Sequence, residues 1–146
     1  MSEKEKIPED KIVLLDLNYT LVANSRSCHG AYPKRIYQQV YEKDLIDAIK
    51  DNYVILITAR PGAYKDETLE HIKELTGFVP DESYWNVGVG KMGLPPHKLK
   101  EKHLLESIFV EHGNDASKYI AVESNPMTRK MYESYGIYAK AKNNFI

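Results

Sequence analysis

The segment Ile12-Val13-Leu14-Leu15-Asp16-Leu17-Asn18-Tyr19-Thr20-Leu21 runs apolar, meets a carboxylate, and then turns polar. Its opening apolar run lacks helical periodicity and reads as a strand buried on both faces of a parallel sheet. Asp16 stands where that strand runs out. In open α/β sheets, ligands bind at the carboxyl ends of the strands. A carboxylate there is costly unless something pairs with it, so Asp16 is the first candidate for chemistry.

Working outward, the same pattern recurs. Residues 22–35 are punctuated by Asn24, Ser25, Ser27, Gly30 and Pro33 and read as a loop. Cys28-His29 lies within it, and a lone Cys-His pair without a second pair at metal spacing is only a weak signal for zinc. Ile36, Val40, Leu45, Ile46 and Ile49 recur near helical spacing, which predicts a helix over 36–50. A second buried strand, Tyr53 to Ile57, ends in Thr58-Ala59-Arg60-Pro61-Gly62. Thr58 offers a short hydroxyl that can donate to a phosphoryl oxygen, or cap the following helix. Arg60 reads equally as a fork donor to phosphate or as a partner of a surface carboxylate. Leu69, Ile72 and Leu75 predict an amphipathic helix over 63–76, closed by Gly77, with His71 among its solvated positions.

Tyr84 to Val89 reads as a shorter strand, and Gly90 to Pro96 as a loop that opens a helix at Pro96. That helix, to about His112, is basic in its first turns (His97, Lys98, Lys100, Lys102, His103) and apolar later (Leu104, Leu105, Ile108, Phe109). Tyr119 to Val122 is another buried strand, followed by Glu123-Ser124-Asn125-Pro126 and a helix from Pro126 to Tyr135.

Composition sets the frame. A chain of 146 residues, 42% hydrophobic and 28% charged, is expected to form one globular domain. A net charge of −1 carries no polyelectrolyte-binding signature. The single cysteine excludes an internal disulfide framework and fits a reducing cytoplasm. No apolar run is long enough to span a membrane. Met1 to Asp10 is charged, lacks the apolar core of a signal peptide, and reads as a mobile tail. Residues 11–146 are then the folded domain. The eleven tyrosines read as semi-exposed packing.

The ordered set of motifs resembles the haloacid dehalogenase superfamily of phosphoryl-transfer enzymes over about residues 11–140. Its first motif is a hydrophobic strand followed by DxDxT, here Asp16-Leu17-Asn18-Tyr19-Thr20, with Asn18 departing from the second acid. Thr58-Ala59-Arg60 resembles the second motif. The basic helix start resembles the third, with Lys100 preferred over Lys98 because Lys-x-x-x-Leu leads into the apolar face. Glu123 fills the first acidic place of the fourth, with Ser124 where a second acid often stands. Tyr84 to Phe109 is further similar to the phosphatase domain of polynucleotide end-healing enzymes.

The resemblance implies a three-layer Rossmann-like α/β fold with a parallel sheet and helices on both faces. Residues 22–40 would be a small flap, too short for a large cap domain. It implies Asp16, Asn18, Thr58 and Lys100 as catalytic residues, with Ala59, Arg60 and Lys98 at the substrate. Asp16, the main chain of Asn18, Glu123 and Ser124 would hold Mg²⁺, with Asn125 helping. Asp16 would attack phosphorus and become an aspartyl-phosphate. Asn18 cannot shuttle a proton, and general acid–base help is worth roughly 10²–10⁴-fold. Three readings therefore stand: a weak or specialised phosphatase on a phosphorylated small molecule or nucleic-acid end, a phosphate- or partner-binding module, or an enzyme with a long-lived aspartyl-phosphate.

Overall fold

The sheet order is β3-β2-β1-β4-β5, built from β1 (Ile12–Leu15), β2 (Tyr53–Pro61), β3 (Glu82–Asn86), β4 (Tyr119–Val122) and β5 (Tyr138–Lys140). All four pairings are parallel. The molecule is a computed structural model that describes residues 3–88 and 93–146. The strand and loop expected through Val89 and from Gly90 run partly into residues outside that range. The helices are α1 (Lys34–Tyr37), α2 (Lys43–Ile49), α3 (Lys65–Thr76), α4 (Pro96–His103), α5 (Phe109–His112) and α6 (Pro126–Ser134), with a wide turn over Leu104–Ile108 joining α4 to α5.

The central strand explains why its apolar run is continuous. Val13 and Leu15 face one layer, with Leu45 and Ile49 of α2 and Ile72 of α3. Leu14 faces the other, with Leu104, Ile108 and, from α6, Met131 and Tyr132. Both faces of β1 are covered, so neither can be polar. Burying each of these side chains contributes about 1.5–3 kcal/mol. This is the expected α/β architecture, a parallel sheet with helices on both faces.

The chain leaves β1 for β2 on one side and returns to β4 on the other. That reversal opens a crevice beyond the carboxyl ends of β1 and β4, where Asp16 and Glu123 follow directly. Local signals set the helix ends. Gly77 caps α3 with φ +77 and donates to Lys73 O at 2.8 Å. Pro96 takes the first turn of α4, and the Asn125 side chain caps α6 by accepting from Met127 N–H.

Several expectations are corrected. The helix over 36–50 is two short helices, because residues 38–42 turn back along the first loop. Ala23 N–H donates to Val40 O (2.8 Å) and Glu42 N–H to Leu21 O (2.8 Å), so backbone donors go across rather than along the chain. Residues 3–10 are docked rather than a free tail. Ile7 is 2% exposed within the core, Glu5 N–H donates to Asn144 O, and Asn52 Nδ2 donates to Pro8 O. His71 is buried, not solvated, with Nδ1 2.7 Å from Tyr41 Oη.

Candidate active site

The turn after β1 builds the floor of the site. Leu17–Leu21 closes when Val22 N–H donates to Leu17 O at 2.9 Å. Leu17 and Leu21 are fully buried and anchor it. Thr20 is also buried, and its hydroxyl donates to Asp16 Oδ2 at 2.8 Å. The Ser124 hydroxyl reaches the same oxygen at 2.9 Å, from the far side of the crevice.

Lys100 ties the two strand ends together. It is 2% exposed, and its Nζ donates to Asp16 Oδ1 (2.8 Å) and Glu123 Oε1 (2.6 Å). Burial pushes the Asp16 carboxyl up, but the Lys100 charge and hydrogen bonds from Lys100 and Thr20 outweigh it and hold the group below the usual carboxylate range. Burial pushes the Glu123 carboxyl up as well, and there it prevails: the group is raised to about 8, with the nearby Asp16 charge adding to burial and Lys100 opposing it. Burial disfavours the Lys100 ammonium, yet the two carboxylates raise its pKa. Glu123 Oε2 accepts from Asn125 N–H at 3.1 Å. Arg129, one turn into α6, donates to Glu123 O (3.0 Å) and Ser124 O (2.8 Å), which fixes the loop carrying both residues.

Asp16, Lys100, Glu123 and Ser124 line a pocket of about 210 Å³ with Asn18, Tyr19, Thr58, Ala59, Pro96, Asn125 and Thr128. Thr58 is buried, and its hydroxyl oxygen accepts from Arg60 N–H at 3.0 Å, which leaves its own proton for a ligand. The pocket thus gathers the expected Asp16, Asn18, Thr58, Ala59, Lys100, Glu123 and Ser124. Lys98 is not brought to it. Its side chain is 58% exposed and lies 3.7 Å from Glu101, so the place expected for it at the substrate is not where it sits. Arg60 pairs with no carboxylate among the described residues, and it is not among the residues lining the pocket. It is 2% exposed, and its guanidinium donates to Thr68 Oγ1, Asn18 Oδ1 and Gln39 Oε1, behind the pocket wall. Burial lowers its pKa, with Tyr32 and Tyr41 opposing.

The donor set fits a hard divalent cation. Two carboxylates share one ammonium, an excess of acidic groups over basic ones. Ser124 Oγ also lies 2.9 Å from Asp16 Oδ2 and 3.3 Å from Asn18 O, so three oxygens of different kinds converge at one point. Oxygen-only ligands of this sort suit Mg²⁺, which keeps waters where the protein supplies few.

Sequence reasoning missed Gln39, Thr128 and Arg129. Gln39 was hidden inside an expected helix. Arg129 lies four residues beyond the Asn125 cap, where a side chain can reach back over the helix start, but a basic residue there reads first as surface.

The fold has a solved counterpart. A chain from the structure of the Pnkp1/Rnl/Hen1 RNA repair complex superposes with a TM-score of 0.66 over 96% of this chain, at 16% sequence identity. The match spans 45% of that chain, so the present chain has about half its length. At this identity the likeness is one of fold. No family model matches the chain, and no curated protein matches it.

Proposed function

We propose that the chain is a Mg²⁺-dependent phosphatase of the haloacid dehalogenase type, acting on a phosphomonoester at a nucleotide or nucleic-acid end. The observation that carries this reading is the position of Lys100 Nζ, held between Asp16 and Glu123 at the sheet's reversal point. An ammonium buried there offsets the charge of a nucleophile and of the phosphoryl group it attacks. The fold shared with a component of an RNA repair complex supports the substrate class. The lone cysteine, Cys28, is consistent with a cytoplasmic setting.

In this mechanism an Asp16 carboxylate oxygen attacks phosphorus in line. The ester P–O bond breaks and the alkoxide leaves. Thr58 and Lys100 stabilise the charge on the phosphoryl oxygens, while Thr20 and Ser124 hold Asp16 in place. Bound Mg²⁺ would be held by Asp16, the Asn18 main-chain oxygen, Glu123 and Ser124, and would supply further charge neutralisation. Water then attacks phosphorus, releasing inorganic phosphate and restoring Asp16. Asn18 donates and accepts hydrogen bonds but transfers no proton, so the leaving alkoxide takes its proton from water. Good leaving groups are favoured accordingly.

The test is phosphate release from nucleoside monophosphates, 3′-phosphorylated oligonucleotides and an aryl phosphate, with and without Mg²⁺. Asp16→Asn serves as the blank. Metal-dependent release that vanishes in the blank supports the reading. Release equal to the blank on every compound overturns it. One observation favours a second reading, a phosphate-binding module. Asn18 Oδ1 accepts from Arg60 Nη2 at 2.9 Å, so a neutral amide held by a guanidinium occupies the position that the resemblance gives to the acid.

A further inference from the structure

Tyr19 is the one non-glycine residue with a positive φ among the described residues, at φ +60 and ψ 7. The four others with positive φ are Gly30, Gly77, Gly113 and Gly136. A side chain in this region crowds the backbone, and a glycine would relieve that strain. The neighbours that impose the conformation do not need the ring. Tyr19 N–H donates to Ser25 Oγ at 2.8 Å, Thr20 holds Asp16, and Val22 N–H closes the turn on Leu17 O. A glycine at position 19 would keep every one of these contacts. The backbone geometry is therefore explained, and the choice of tyrosine is not.

Tyr19 lines the pocket that holds Asp16, Thr58 and Lys100, and the residue is 53% exposed. The other highly exposed tyrosines have partners: Tyr37 lies edge-on to His71, Tyr53 donates to Glu82, and Tyr138 donates to Glu5. Among the described residues, the Tyr19 ring packs against no aromatic ring or cation, and its hydroxyl has no hydrogen-bond partner. Strain kept at a site is a reason to look for a role there.

We infer that Tyr19 is a stacking platform for the base of the nucleotide that carries the scissile phosphate. The residue thereby selects base-bearing phosphomonoesters over base-free ones. The inference rests on the phosphatase reading for the position of the phosphate. An aromatic face takes any base, so selection is for the presence of a base and not for its identity. Tyr19 touches the leaving group and not the reacting atoms, so its removal raises KM and leaves kcat near its original value.

The experiment compares wild type, Tyr19→Gly and Tyr19→Phe on adenosine 3′-monophosphate and on glycerol 2-phosphate, which has no base. Tyr19→Gly is expected to raise KM for the nucleotide by roughly 10–100-fold, as loss of one stacked base does. Its KM for glycerol 2-phosphate rises far less, so the preference for the nucleotide falls, and Tyr19→Phe behaves as wild type on both. Tyr19→Gly also melts at a higher temperature, which confirms that it folds. Equal losses on both compounds, or no loss on the nucleotide, overturn the inference.

Failure of the phosphatase reading is read separately. The same two compounds are titrated calorimetrically into Asp16→Asn, with and without Tyr19→Gly. Tighter binding of the nucleotide that depends on Tyr19 sustains the inference even if no phosphate is ever released. Binding of the nucleotide that is absent, or indifferent to Tyr19, overturns it.

Discussion

Lys100 carries more of the site than any other single side chain. Its ammonium separates two buried carboxylates, and nothing else described lies within salt-bridge distance of either. Removing one member of a buried ion cluster leaves uncompensated charge and costs about 3–5 kcal/mol. Lys100→Met is therefore expected to lower the urea midpoint strongly as well as to abolish turnover. Asn18 invites the opposite change. Asn18→Asp places a carboxylate against the buried Arg60 guanidinium, which now has only neutral acceptors. It also restores a group able to move a proton. Turnover on poor leaving groups should rise by roughly 10²–10⁴-fold, and the dependence of rate on leaving-group acidity should flatten. Unchanged turnover in a variant that folds would favour the binding-module reading. Asp16, Thr58 and Lys100 were legible because each is a chemically distinctive residue at a strand or helix end. Arg60 was found as a motif residue, but no sequence signal showed that its fork would close on Gln39 and Asn18.

At the scale of elements, burial not visible in the sequence changes how the protein meets acid. His71 sits on α3 between charged residues, yet its ring is buried against Tyr41. Burial lowers its pKa, Glu74 opposes this, and Arg60 adds to it. An unfolded histidine titrates near about 6.5, so below that pH the unfolded chain binds the proton that the folded chain resists. Stability contributed by neutral His71 is complete above that value and is lost as pH falls toward its lowered folded pKa. His103 is shifted the same way, chiefly by burial, with the Trp85 carbonyl opposing. The fall in Tm between pH 7 and 5 should therefore be smaller in His71→Gln than in wild type, and smaller again when His103 is also replaced. A fall identical to wild type would contradict this account. The strands were readable because β1, β2 and β4 are continuous apolar runs. The break between α1 and α2 was not, because Val40 keeps helical spacing while its backbone serves the loop opposite. Ile7 was unreadable for a related reason: one apolar residue among charges gives no period. Ile7→Ala is expected to cost about 2–5 kcal/mol in a denaturant titration, as other buried Ile truncations do. A free tail would lose nothing.

For the whole molecule, the sheet order sets where a ligand can act. Because β1 lies between β2 and β4, Asp16 and Glu123 meet across the crevice even though 107 positions separate them in the chain. A cation bound there would stabilise the folded state by mass action, by about 2.7 kcal/mol at a hundredfold excess over Kd. Tm should climb with millimolar Mg²⁺ in wild type and stay flat in Glu123→Gln. A flat response in wild type would remove the metal from the proposed mechanism. The parallel order itself followed from alternating apolar strands and helical segments. The small strand β5 escaped notice, since Tyr138–Lys140 buries only Ala139.

The docking of the first residues onto the last has a topological consequence. Glu5 N–H meets Asn144 O at 3.0 Å, and Asn144 Nδ2 reaches Glu5 Oε2 at 2.6 Å, so the two ends of the described chain already touch. A short glycine-rich bridge could join them without moving either. New ends could then be opened between Asn114 and Asp115, both exposed, in the turn after α5. Such a circular permutant would begin with β4 and its Glu123 and reach Asp16 later, reversing the order in which the two strands are synthesised while leaving the crevice between them intact.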